Sequence, residues 1–184
     1  MKIGNLEVVD LRSTLPKTGT YALRRAEDIQ AIIIHHSGVD IDSTPEQIAA
    51  YHISLGWPGI GYHFVIRRDG TIYYCNDWSR ISYHIAKLNW KYLGICLTGN
   101  FMKSYPTAQQ LSSCYDLVSN LQLAFGKWYQ VLGHKEAAIE PTLCPGDIFN
   151  DWKFKIESNH PSIDWEGIAR SLQSKIDQAK TILG

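Results

Sequence analysis

A histidine and a cysteine ten positions apart, His134 and Cys144, stand in the segment Gly-His-Lys-Glu-Ala-Ala-Ile-Glu-Pro-Thr-Leu-Cys-Pro-Gly, and two more histidines, His35 and His36, close an apolar run roughly a hundred residues earlier. Two imidazoles and one thiolate fill three of the four positions around a tetrahedral zinc ion, and a fourth left to water distinguishes a catalytic site from a structural one. His35 and His36 are neighbours at a predicted strand end, so their side chains leave opposite faces and only one reaches a shared metal. The run 31–34 is apolar throughout, so alternation does not choose between them. A single histidine is more often a buried ring bonded to backbone than a ligand. Cys144 is different, because the Pro145-Gly146 turn that follows belongs near the surface and not in a core. One shared site accounts for the three placements more simply than three unrelated ones.

The elements that must position these residues follow from periodicity. Apolar, β-branched runs bounded by turn residues predict strands over 31–35, 62–67, 71–75 and 93–98, the middle two joined as a hairpin through Arg68-Asp69-Gly70. Thr44-Pro45-Glu46-Gln47 supplies a cap, a first-turn proline and a capping-box glutamine, and Gly56 ends that helix after apolar Ile48, Tyr51 and Leu55. His52 falls on the same stripe and reads as a core-edge residue. Thr107 to Gln110 repeats the capping device, ahead of a stripe of Leu111, Cys114, Tyr115, Val118, Leu121 and Phe125 that stops at Gly126. Cys114 is therefore expected in the core. A last helix over about 164–183 carries Ile168, Leu172, Ile176, Ala179 and Leu183 at helical spacing. Residues 151–184 are too few to fold alone, so that helix is expected to pack on the rest. Intermixed strands and helices predict an α/β fold with a central mixed β-sheet and helices on both faces. The strand order stays open.

With 184 residues, 45% of them hydrophobic, the chain is expected to form a single domain over 1–184. Eighteen basic residues balance eighteen acidic ones, so no long-range field draws it to nucleic acid or an anionic membrane. The N-terminus has no apolar stretch of signal-peptide length, which predicts a protein cytoplasmic as synthesised, and a monomer is expected. Cys75, Cys96, Cys114 and Cys144 lack paired spacing, which predicts free thiols.

Read together, the motifs resemble the zinc-dependent N-acetylmuramoyl-L-alanine amidase family, which includes amidase-type phage lysozymes and peptidoglycan recognition proteins. The resemblance covers about 30–150. It rests on Ile-Ile-Ile-His35-His36-Ser37, Leu55-Gly56-Trp57, Ile60-Gly61-Tyr62-His63-Phe64, Arg68-Asp69-Gly70-Thr71-Ile72-Tyr73, His84, Asn89, Leu93-Gly94-Ile95, Thr98-Gly99-Asn100-Phe101, Gly133-His134 and Pro141-Thr142-x-Cys144-Pro145-Gly146. The resemblance implies zinc held by His35, His134 and Cys144, a catalytic Tyr62, and His84 in a substrate groove. It also implies peptidoglycan or a muropeptide as partner, and hydrolysis of the bond between N-acetylmuramic acid and L-alanine. Zinc would polarise the amide carbonyl and bring the pKa of its water down to about 7, and Tyr62 would donate to the developing oxyanion. Trp57, Trp78 and Asn89 complete the expected substrate contacts; Trp90 also stands near a loop. By the same resemblance a Gly-Trp pair marks diaminopimelate-type stem peptides, and Asp77-Trp78 matches half of it.

Three departures bear on mechanism. Thr142 stands where amidase-type phage lysozymes have a lysine, so a second oxyanion donor must be weaker, a hydroxyl or a backbone amide. Cys96 occupies the place of a glutamate base in some bacterial relatives, which leaves a metal-bound hydroxide or Glu136 as the expected base. The ten-residue step from His134 to Cys144 exceeds the eight usual in recognition proteins, and Ile139-Glu140 would lengthen a loop. The absent signal peptide favours a phage or prophage endolysin, with a cytosolic wall-recycling amidase as an alternative. A non-catalytic peptidoglycan-binding module is the main rival, and such members lack the metal cysteine. A structural zinc domain would need a fourth protein ligand, for which the sequence offers no candidate.

Overall fold

The computed structural model describes residues 1–102 and 104–157. Strands β1 (Lys2–Ile3) and β2 (Leu6–Glu7) form a small antiparallel pair. The main sheet has six strands: β3 (Val9–Asp10), β4 (Ala31–His36), β5 (Phe64–Ile66), β6 (Ile72–Tyr74), β7 (Tyr92–Leu97) and β8 (Gln130–Gly133). Their spatial order is β3-β6-β5-β7-β4-β8. Only the β5/β6 hairpin is antiparallel, as its turn predicts; β3/β6, β5/β7, β7/β4 and β4/β8 run parallel. The helices are α1 (Pro45–Ser54), α2 (Ala108–Phe125), the single turn α3 (His134–Ala137) and α4 (Phe149–Glu157). The helix predicted over 164–183, and His160, lie outside the described residues.

Parallel strands buried on both faces read as unbroken apolar runs, which is why 31–34 shows no alternation. The structure separates the two faces. Ile32 and Ile34 pack with Leu93, Ile95, Leu97, Phe64 and Ile66 against α2 (Leu111, Cys114, Leu117, Val118, Leu121) and α4 (Phe149, Trp152, Ile156). Val65, Cys75 and Cys96 pack with Ile48 and Ala49 of α1 on the other face. In the register His35 lies beside Cys96, so His35 belongs to the α1 face and His36 to the opposite one. This mixed α/β architecture has helices on both sides of the sheet.

Both long helices begin as their caps require. Thr44 accepts the Gln47 N–H at 3.3 Å while the Gln47 side chain accepts the Thr44 N–H at 2.9 Å, and Thr107 and Gln110 repeat the exchange. The inner face of α1 differs from the expected one. Pro45, Ile48, Ala49 and His52 are buried, whereas Tyr51 is 63% and Leu55 50% exposed. Apolar side chains alone misplace the stripe because the buried set includes an alanine and a histidine. Cys114 is buried as expected, and all four cysteines are free thiols. Among the described residues no helix is long and apolar enough to cross a membrane.

The corrected face of α1 predicts that Ile48→Ala costs about 2–4 kcal/mol in urea denaturation while Tyr51→Ala stays within about 0.5 kcal/mol. Equal losses would return Tyr51 to the inner face.

Candidate metal centre

The parallel pairing of β4 with β8 ends at Ile34 opposite Gly133. The next residue in each case is a histidine, His35 within β4 and His134 at the start of α3, and their rings lie with centroids 4.6 Å apart. The loop after α3 returns to the same place: Lys135 N–H donates to the Cys144 carbonyl at 2.7 Å, and the Lys135 ammonium donates to the Gly146 carbonyl at 2.8 Å. Gly146 has φ +122°, and a Cβ there would lie 2.1 Å from the Phe101 carbonyl oxygen, so only glycine lets the loop close this tightly. The result is a cluster of His35, His134 and Cys144 whose donor atoms lie within 4.8 Å of one another, the one such group among the described residues. His36 is not part of it. Its Nδ1 accepts the Phe101 N–H at 3.1 Å on the far face, while its backbone N–H donates to the Cys144 sulfur at 3.4 Å.

The donor set fits one zinc ion. Burial, and then the neighbouring His84 and His134, holds the His35 pKa well below its ordinary value; burial also lowers that of His134. Both imidazoles are therefore neutral at physiological pH, with a lone pair to offer. Burial pushes the Cys144 thiol up to about 12, against the opposing His36 amide and Lys135 charge. A thiolate at this depth needs an adjacent cation, which a divalent metal provides. His35 Nδ1 and Cys144 Sγ lie 3.7 Å apart, a separation that metal bonds of about 2.0–2.3 Å would span.

His84 stacks edge-on behind His35, its Nδ1 3.0 Å from the His35 Nε2. Asn89 supports it by accepting the backbone N–H groups of His84 and Ile85 at 2.9 and 2.8 Å. Arg24, buried, donates to the carbonyls of Trp78, Asn89, Trp90 and Tyr92, and its guanidinium lies 3.0 Å from the ring of His63. It gathers the whole 78–92 loop. Sequence reasoning missed it, because Arg24 stands next to Arg25, Glu27 and Asp28 and nothing in residue type sets it apart from them. On the other side, Tyr62 lies 5.2 Å from His35 between ring centroids. Burial first, then Cys96 and Cys144, raises the phenol pKa well above its ordinary value, so Tyr62 keeps its proton. His52 accepts the Gly61 N–H at 2.9 Å and packs between Trp57 and Tyr62.

A groove of about 400 Å³ opens beside the cluster, with Trp57, Tyr83, His84, Ile85 and Asn89 along one wall and His134, Ala138, Ile139, Glu140 and Thr142 along the other. A Lys87–Glu140 ion pair at 2.9 Å joins the walls, so the lengthened loop borders the groove. Thr142 lies here, its hydroxyl oxygen accepting the Cys144 N–H at 3.2 Å. Two expected residues are elsewhere. The carboxylate of Glu136 accepts the Gly133 N–H at 2.7 Å and pairs with Lys153 at 2.9 Å; it caps a turn and ties α4 down. Trp78 packs on the main core, stacked on Tyr74 and edge-on to Phe125, so it does not reach the groove; apolar contact outweighed its place in a loop.

The fold is shared with solved amidase structures. An N-acetylmuramoyl-L-alanine amidase endolysin from Clostridium intestinale superposes with a TM-score of 0.65 at 32% identity, covering 82% of this chain and 95% of that one. The sequence profile of the N-acetylmuramoyl-L-alanine amidase family matches residues 25–147, and the chain belongs to that family. Peptidoglycan-recognition protein SC2 of Drosophila melanogaster is 32% identical over 148 residues, 73% of this chain and 78% of its own. The endolysin of Enterobacteria phage K11 is 28% identical over 135 residues, 70% and 87% of the two chains.

The buried neutral rings give the metal-free protein a distinctive acid response. Burial sets the pKa of His52 at about 4 and that of His84 at about 3, against 6.5 in the unfolded chain. Between pH 6.5 and pH 4 the unfolded state holds more protons than the folded one, so stability present above pH 6.5 is lost as pH falls, by up to about 1.4 kcal/mol per pH unit for each ring. Urea midpoints of chelator-treated protein are expected to drop steadily across that window. A flat profile would mean that the rings charge within the fold.

Proposed function

We propose that the protein is a zinc-dependent N-acetylmuramoyl-L-alanine amidase, which hydrolyses the amide between N-acetylmuramic acid and L-alanine of peptidoglycan and acts as an endolysin. The observation that carries this reading is the cluster of His35, His134 and Cys144 at the head of a groove, in a chain of the amidase family. A zinc ion held by these three supplies Lewis acidity and water activation at neutral pH. Tyr62, protonated and beside His35, donates a hydrogen bond to the oxygen that gains charge as the amide carbon becomes tetrahedral. Thr142, whose hydroxyl oxygen is taken by the Cys144 N–H, retains its hydroxyl hydrogen as a weaker second donor on the opposite wall. Trp57, held against His52, offers an aromatic face to sugar or peptide. The endolysin role draws support from relatives so named, in phage K11 and in Clostridium intestinale.

A binding module without catalysis is the rival reading, because the relatives also include recognition proteins. Incubation with purified cell walls separates the two. New alanine amino termini, abolished by chelator and restored by zinc, are expected; new reducing sugars would point to a glycosidase, and zinc-loaded protein that binds walls without cutting them would make it a recognition module. Tyr62→Phe keeps the ring and loses the donor. It is expected to lower kcat by roughly 10² to 10³, about 3 kcal/mol, with the folded fraction unchanged by circular dichroism. Unchanged kcat would make Tyr62 a packing residue.

A further inference from the structure

His84 lines the groove but is only 6% exposed, and both its ring nitrogens are engaged inside the protein. Nε2 lies 3.1 Å from the Tyr92 carbonyl oxygen. A carbonyl only accepts, so this nitrogen carries the hydrogen, and in a neutral imidazole the other nitrogen is then bare. The bare Nδ1 faces Nε2 of His35 at 3.0 Å and accepts from it. His35 in turn has its lone pair on Nδ1, the atom 3.7 Å from the Cys144 sulfur. One backbone carbonyl thus dictates, through two rings, which nitrogen of His35 is free.

The ring of His84 has little freedom to turn. Gly94 of β7 lies directly beneath it, where a Cβ would come within 2.7 Å of its Cγ and Nδ1. His63 meets it edge-on at 5.6 Å, and Asn89 pins its backbone. The Tyr92 carbonyl is itself fixed by the Arg24 guanidinium, and a carbonyl oxygen has lone pairs for both donors.

We propose that His84 is a positioning residue that locks His35 into the tautomer whose Nδ1 lone pair faces Cys144, and that it acts on metal binding and not through a hydrogen bond to substrate. This rests on the metal-dependent reading of the site given above. A ligand histidine whose second nitrogen is held by a fixed partner loses roughly 10- to 100-fold in metal affinity when that partner is removed. His84→Gln can mimic both contacts, with its carbonyl oxygen accepting from His35 and its amide donating toward Tyr92, whereas His84→Phe mimics neither.

Two measurements test the proposal. Ring-nitrogen NMR of metal-free wild-type protein is expected to find hydrogen on Nε2 of both His35 and His84. Competition with a chromophoric chelator is expected to show zinc affinity reduced roughly 10- to 100-fold in His84→Phe and within about threefold of wild type in His84→Gln. Hydrogen on Nδ1 of either ring, or wild-type zinc affinity in His84→Phe with only muropeptide affinity lost, would overturn the positioning role. If His84→Phe does not fold, the wild-type tautomers and the affinity of His84→Gln decide: a His84→Gln loss as large as that expected for His84→Phe also counts against it. Wild-type protein that takes up no zinc would overturn the metal-dependent reading itself, a result distinct from either of these.

Discussion

The site depends on the parallel register of β4 with β8. Neighbouring strands lie about 4.8 Å apart, and because the pairing closes at Ile34 opposite Gly133, the residues that follow these two in the chain stand side by side. That step places two imidazoles at 4.6 Å without any loop having to search for the geometry. A slip of one residue in either strand would send a histidine to the opposite face. The cysteine is the only member delivered by a loop, and that loop is tied to α3 through Lys135 and to the sheet through the His36 amide. Rigid strands carry the ligands that must match each other, and the adjustable segment carries the third.

Behind the cluster the protein uses neutral polar groups. His35, His84 and His63 form a buried series of rings, and the nearby cation, Arg24, directs its hydrogen bonds to carbonyl oxygens. Burial alone accounts for much of the depression of these histidine pKa values. Such an arrangement keeps lone pairs available at neutral pH and makes the hydrogen positions follow from fixed acceptors, since each ring has one hydrogen to place. It costs acid stability, the usual consequence of burying bases uncharged.

Much of this was readable from residue types. The run 31–34, the Asp69-Gly70 turn and the two Thr-x-x-Gln boxes specify β4, the hairpin and the starts of α1 and α2, because each is a local signal with a local cause. β8 was not readable: Gln130–Gly133 is four residues long and takes its place from β4 rather than from any pattern of its own. α4 had a signal in Phe149, Trp152 and Ile156, a spacing of three and four, but charged residues between them obscured it. Which of His35 and His36 turns toward the cluster depends on which face α1 covers, a fact of packing. Glu136 and Trp78 have side chains suited to chemistry, and both are consumed by structure, one as a cap and ion-pair partner, the other by the core. The Cys144 loop shows the opposite: a turn sequence that looks merely connective closes against Phe101 and delivers a donor.

The family match runs over residues 25–147, and the physical unit does not stop there. Arg24 sits one position before its start, and Phe149, just after its end, presses so closely on Gly133 that a methyl group there would meet its ring at 2.7 Å. Trp152 and Ile156 continue that wedge beneath the sheet. Excising the matched stretch would take away the clasp on the segment bearing His84 and the buttress under the strand that presents His134. The matched stretch is thus smaller than what mechanics requires here, and a version of this chain trimmed to it would inherit the ligands without the frame that aims them.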